Sequence, residues 1–163
     1  MNCPKCRNAM QGHRATNSRP YKYRQSGLST VNLVGIMVYE CERCRLNCPA
    51  ISRIDELHQV ISSVLIAKSG MLTGPEIRFL RKAAGYSALD FSELLRITPE
   101  HFSRVENEVH KVSKSVDTLS RVLVSQHQSV REILTNIARE LRSMRGSVFS
   151  LKKTGWEVNR KAA

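Results

Sequence analysis

Five cysteines lie within the first 48 residues, and four of them form two C-x-x-C pairs, Cys3-Pro4-Lys5-Cys6 and Cys41-Glu42-Arg43-Cys44. Each pair sets two thiolates on one tight turn, and the 34 intervening residues are enough for a small sheet that brings the turns together. Four converging thiolates make a tetrahedral shell suited to Zn2+, which has no redox chemistry and binds thiolate strongly. A closed shell leaves no position for water. The expected site is therefore structural, with one Zn2+ per chain contributing on the order of 10 kcal/mol to folding. A thioredoxin-like redox pair is the competing reading, but it needs a single C-x-x-C in a βαβ setting. Cys48 reads as a spare thiol, close enough to Cys44 to compete for the metal.

A second constellation lies between residues 72 and 124. Thr73 caps a helix, with Pro75 in its first turn and Glu76 at the capping-box position, and Gly85 stops it. Ile77, Leu80 and Ala84 give that helix its buried face. Ser87 caps a second short helix burying Phe91, Leu94 and Leu95. Thr98 caps a third, with Pro99 first, Phe102 and Val105 inward, and Glu100, His101, Ser103 and Arg104 on the remaining faces. Two short helices joined by a turn, the second presenting polar side chains near its start, is the arrangement that enters a DNA major groove. Arg104 is the candidate fork onto guanine, worth about 1–3 kcal/mol of discrimination, and Glu100 the candidate acceptor from cytosine. Glu100 and Arg104 also stand at i, i+4, the spacing of a pair that only stabilises its helix. Arg78, Arg81, Lys82 and the capped start at Ser87 are the candidate phosphate anchors.

The elements that must position these groups follow from periodicity. Residues 1–50 alternate in short stretches: Tyr21-Lys22-Tyr23, then Thr30–Leu33 and Ile36–Tyr39 flanking Val34-Gly35, which predicts a small antiparallel sheet. Residues 51–70 read as a linker helix with Ile54, Leu57, Ile61, Val64 and Leu65 on one face, and His58 as a partly buried, satisfied histidine. Residues 71–124 form the helix-turn-helix domain. Residues 125–163 are a C-terminal extension: an amphipathic helix at 127–146, then a hairpin or a loose basic tail that includes Lys152, Lys153, Arg160 and Lys161. The expected class is α+β, a β-rich four-cysteine zinc ribbon followed by an all-α helix-turn-helix domain with a helical extension.

The net charge of +12 is unevenly spread: residues 1–70 carry +6, residues 71–124 only +1, and residues 125–163 carry +5. A surplus of this size favours a polyanionic partner, although it also serves solubility. No run of 18 apolar residues suggests a membrane span, and the start lacks the apolar core of a signal peptide. A reducing cytoplasm is the expected setting. The histidines, at positions 13, 58, 101, 110 and 127, are dispersed and no nucleophile–base pair stands out, so an enzyme is not expected.

The run Leu72–Lys82 followed by Phe102-Ser103-Arg104-Val105-Glu106-Asn107 resembles the Cro/lambda-repressor-type helix-turn-helix of MqsA/YgiT-type antitoxins. Cys3, Cys6, Cys41, Cys44 and the intervening sheet pattern resemble that family's zinc ribbon, so the likeness spans about residues 1–124. It implies a ribbon that neutralises a toxin and a dimeric domain that represses its own operon at a palindromic operator. It assigns the four cysteines to zinc and Arg104 to base reading, with Ser103 beside it. Departures are visible: Glu100 stands where the best-known member has a base-reading asparagine, and Arg96 and Glu108 replace glycines. Ala88 replaces a common glutamine, and the extension beyond about 125 has no counterpart in short members. Two other readings remain at this level: a regulator with no toxin partner, for example of a mobile element, and a ribbon directed at RNA or a translation complex.

Overall fold

The computed structural model describes residues 1–126 and 148–159. It is mixed α+β, with five α-helices and two small sheets among the described residues. The chain divides into two compact units. The first comprises Met1–Arg24, Ser29–Leu57 and Gly146–Ala163; the second comprises Gln25–Leu28 and His58–Arg145.

The described strands all lie in unit 1: β1 (Gln11–Arg14), β2 (Tyr21–Lys22), β3 (Asn32–Val34), β4 (Met37–Glu40), β5 (Asn47–Ala50), β6 (Val148–Lys152) and β7 (Gly155–Asn159). One antiparallel sheet runs β1-β4-β5, and the other runs β2-β3-β6-β7 with β3 and β6 parallel. The expected pairing of residues 30–33 with 36–39 does not form. Leu33 faces Tyr21 and Phe149, while Tyr39 faces Gly12 and Cys48. Gly35, at φ 83°, turns the chain between them. Its amide bonds the Ala15 carbonyl at 2.9 Å, and the Ala15 amide bonds Ile36 at 2.8 Å, so β3 and β4 diverge into different sheets. Alternation along a strand reports which face is buried but not which strand lies beside it. β5 contains Pro49 and lies at a sheet edge, where a missing amide costs no ladder bond.

The segment from 148 to 159 is a hairpin and not a loose tail. Its Trp156 indole donates to the Ser52 carbonyl at 3.1 Å, and the Trp156 amide donates to Glu56 Oε1 at 3.2 Å. Gly155, at φ 139°, passes so close to that carboxylate that a Cβ would stand 2.2 Å from Oε1. Phe149 and Trp156 are buried in the same unit. The helix expected at 127–146, and Arg160 and Lys161, lie outside the described residues.

The helices are α1 (Ile54–Ile66), within which the unit boundary falls, and then α2 (Gly74–Ala83), α3 (Ala88–Leu94), α4 (Pro99–Glu106) and α5 (Lys114–Ser125) in unit 2. Thr73, Ser87, Thr98 and Ser113 cap α2 to α5, each side chain accepting from the amide three residues on. These caps satisfy amides that have no carbonyl one turn earlier. At the other end of α1, Arg121 donates to the carbonyls of Ile66, Lys68 and Gly70 at 2.6–2.7 Å. Asp117 holds that guanidinium and also accepts from the Leu72 amide at 2.7 Å. α4 packs against α2 and α3, and α5 against α2. Phe91 and Phe102, with ring centres 5.6 Å apart, fill the centre. Ile54 and Leu94, expected on buried stripes, are exposed.

Arg96, in the α3–α4 turn, and Glu108, after α4, are left-handed at φ 56° and 61°. A side chain in that region crowds its own carbonyl, a strain glycine lacks. Arg96→Gly is therefore expected to raise stability by about 0.5–1 kcal/mol, and chemical denaturation would show the midpoint moving up at constant slope.

Candidate functional site

The two cysteine turns of unit 1 have matching backbones. In the first, the Arg7 amide bonds the Cys3 carbonyl at 2.8 Å and the Cys3 amide bonds Asn8; in the second, Arg45 bonds Cys41 at 2.8 Å and Cys41 bonds Leu46. Both arginines are left-handed, at φ 60° and 55°, which lets each turn close directly behind its second cysteine. The turns flank the β1-β4-β5 sheet, and the four sulfurs converge within 4.8 Å of one another. Cys3–Cys44 and Cys6–Cys41 are each 3.4 Å apart. Cys3 and Cys41 are buried beside Met10, with Tyr39, Leu46 and Cys48 packed around them. Cys48 is thus a neighbour of the four-sulfur group and not a member of it.

Crowded thiols cannot all ionise equally without a cation. Burial opposes ionisation of Cys3, but the amides of Cys6 and Lys5 and the Cys44 thiol outweigh it and bring its pKa from 9.0 to about 6. The amide of Cys44 leads the effects that lower Cys41. At Cys44 the Leu46 amide favours the thiolate, yet burial and the three neighbouring sulfurs push the pKa up to about 12. Cys6 is also raised: the Asn8 amide favours its thiolate, but Cys41 and burial prevail. The cluster has the donors, geometry and charge demand of a metal-ion site.

The second group of candidate residues lies in unit 2. Glu100, His101, Ser103 and Arg104 are exposed on α4, and the Arg104 side chain has no hydrogen bond or ion pair among the described residues. The Glu100–Arg104 pair does not form. Lys82 is exposed too, and the Ser87 hydroxyl accepts from the Asp90 amide at 3.1 Å while donating to its carboxylate.

Arg81 stands elsewhere. It is 7% exposed and donates to both oxygens of Glu106, at 2.8 and 3.1 Å, and to the Tyr86 carbonyl at 2.9 Å. Its donors are used inside the protein, so it is not available to a phosphate as expected. Arg78 is likewise engaged, with Glu106 at 3.3 Å and Asn107 Oδ1 at 2.7 Å. This network locks α2 to the end of α4. Gly74 fits the same junction, where a Cβ would stand 2.3 Å from the Val105 carbonyl. A signal for the pair existed in the sequence: Arg81 follows Ile77 at i+4, and Glu106 follows Phe102 at i+4, so both fall on buried faces. His58 is half-buried, with its ring edge-on to Phe79 at 5.4 Å. Comparisons with protein-family models, with curated proteins and with solved structures find no match to this chain.

The isolated protein is expected to carry one metal ion per chain, lost on substituting Cys3 and Cys41 together with serine, as elemental analysis would show. Every ligand must be deprotonated and Cys44 holds its proton most strongly, so affinity falls as pH falls and acid releases the ion. Arg81→Ala leaves Glu106 charged and buried without its main partner. A loss of about 3–5 kcal/mol is expected in denaturation.

Proposed function

We propose that the chain is a zinc-dependent, sequence-specific DNA-binding regulator: an antitoxin of the MqsA/YgiT type that represses its own operon through α3 and α4 and neutralises a toxin through a zinc ribbon in unit 1. The observation that carries this reading is the face of α4, where Arg104 stands exposed and unpaired among the described residues while the helix behind it is fixed by the buried Arg81–Glu106 pair. A reading helix needs this division, because base discrimination demands a rigid backbone and a free fork. The left-handed Arg96 supports it, since it occupies the turn position where the resembled repressors carry glycine.

Zinc is the ion the four thiols suit best. Tetrahedral Zn–S bonds of about 2.3 Å put sulfurs about 3.8 Å apart, and the cluster spans 3.4 to 4.8 Å. Cys3, Cys6, Cys41 and Cys44 would hold the ion, and its role is to fold the unit. The regulator acts in the cytoplasm as a homodimer, whose two α4 helices reach half-sites about 34 Å apart on a palindromic operator. Unit 1 carries a formal +8, and four thiolates with one dication reduce this by two. That charge suits a toxin surface that is acidic or apolar.

Arg104→Ala is expected to cost about 1–3 kcal/mol of operator discrimination in competition binding assays, with metal content and thermal unfolding unchanged. Retained specificity overturns the reading helix. The toxin half is tested separately, by expressing the adjacent reading frame alone and together with this chain. Growth arrest relieved by this chain supports it, and a harmless product removes it.

A further inference from the structure

His101 and His110 lie nine positions apart in the sequence, yet their Nδ1 atoms are 3.2 Å apart and their ring centres 5.2 Å. The backbone builds this approach. Asn107 ends α4, Glu108 turns the chain left-handed, and the amides of Val109 and His110 both bond the Arg104 carbonyl, at 2.9 and 3.2 Å. The chain after α4 is thereby folded back along the helix to reach its first turn, where the Thr98 hydroxyl already holds the His101 amide at 3.2 Å.

We propose that His101 and His110 form a second metal site, a two-imidazole chelate for a borderline dication such as Zn2+, Ni2+ or Cu2+. Two nitrogens on one tetrahedral zinc at 2.0–2.1 Å lie about 3.3 Å apart, close to the spacing already present. Imidazole is the ligand such ions favour. Without metal, one ring must donate its Nδ1 proton to the other. Metal binding moves that proton through solvent to Nε2 of the same ring, freeing both Nδ1 lone pairs with no net change in protons. The pair is solvent-accessible, so water or another oxygen donor completes the shell, and the ion exchanges more readily than one held by four thiolates, two of them buried. The dipole at the start of α4 works against a cation there, and the adjacent Glu100 carboxylate works for it.

The site shares α4 with the proposed DNA reading but does not rest on it, and it is tested without DNA. Untagged protein with its cysteine site zinc-loaded is titrated with further Zn2+ while the imidazole resonances are followed by NMR. The expected result is a second equivalent bound, with the signals of His101 and His110 shifting together and those of the other histidines unmoved. His110→Ala is expected to stop the uptake at one equivalent, as is the near-isosteric His110→Asn if alanine disturbs the turn. Either a wild-type titration ending at one equivalent, or a second equivalent that survives both variants, overturns the proposal.

Discussion

Four sulfur atoms within 4.8 Å of one another are a poor arrangement for thiols and a worse one for thiolates. Thiols bond weakly to one another, and thiolates at that range repel. Unit 1 nevertheless places its two cysteine turns at matching positions, each closed by paired backbone bonds and a left-handed arginine. The turns, β1, β4 and β5 all serve to hold these sulfurs in register. Apart from the cysteine cluster, the described part of the unit buries a modest apolar set, from Ala15 and Tyr23 through Val31–Val38 to Leu57, Phe149 and Trp156. Small cores of that kind depend on an added cross-link, which an ion held by the four cysteines would supply by joining residue 3 to residue 44.

Unit 2 fixes its geometry by other means. It uses charge within the fold: Arg81 and Arg78 on Glu106, Lys68 on Glu76, and Arg121 on Asp117 and the carbonyls of Leu65, Ile66, Lys68 and Gly70. Burying such pairs brings little net stability, but each fixes one geometry, since removing either partner strands a charge. The consequence for the proposed function is direct. Residues 71–124 have almost no net charge, with eight basic side chains against seven acidic ones, and Arg78, Arg81 and Arg121 among the basic ones are engaged within the unit. Lys82, Arg96, Arg104, Lys111 and Lys114 are exposed and remain for an outside partner.

The sequence reported most faithfully on local features. The three expected caps, at Thr73, Ser87 and Thr98, stand where hydroxyl residues precede apolar periodicity, because a cap needs only three residues of neighbouring backbone. The four-cysteine cluster was legible for a similar reason: the spacing within each pair fixes half a tetrahedron. Exposure was less legible, as Ile54 and Leu94 show. A period of 3.6 assigns a face to the core only if a partner element covers the whole of it.

What the sequence by itself determined, then, is the chemistry available at each turn and helix start, since those depend on neighbours along the chain. The partners came only from the tertiary structure. It sent β3 and β4 to different sheets through the bonds of Ala15 with Gly35 and Ile36, and it brought residues 148–159 back to β3. It took Arg81 from the surface into an ion pair, and it laid His110 against His101. Each of these contacts joins groups separated along the chain, and their formation depends on how many elements fill space together. No window of sequence contains that quantity.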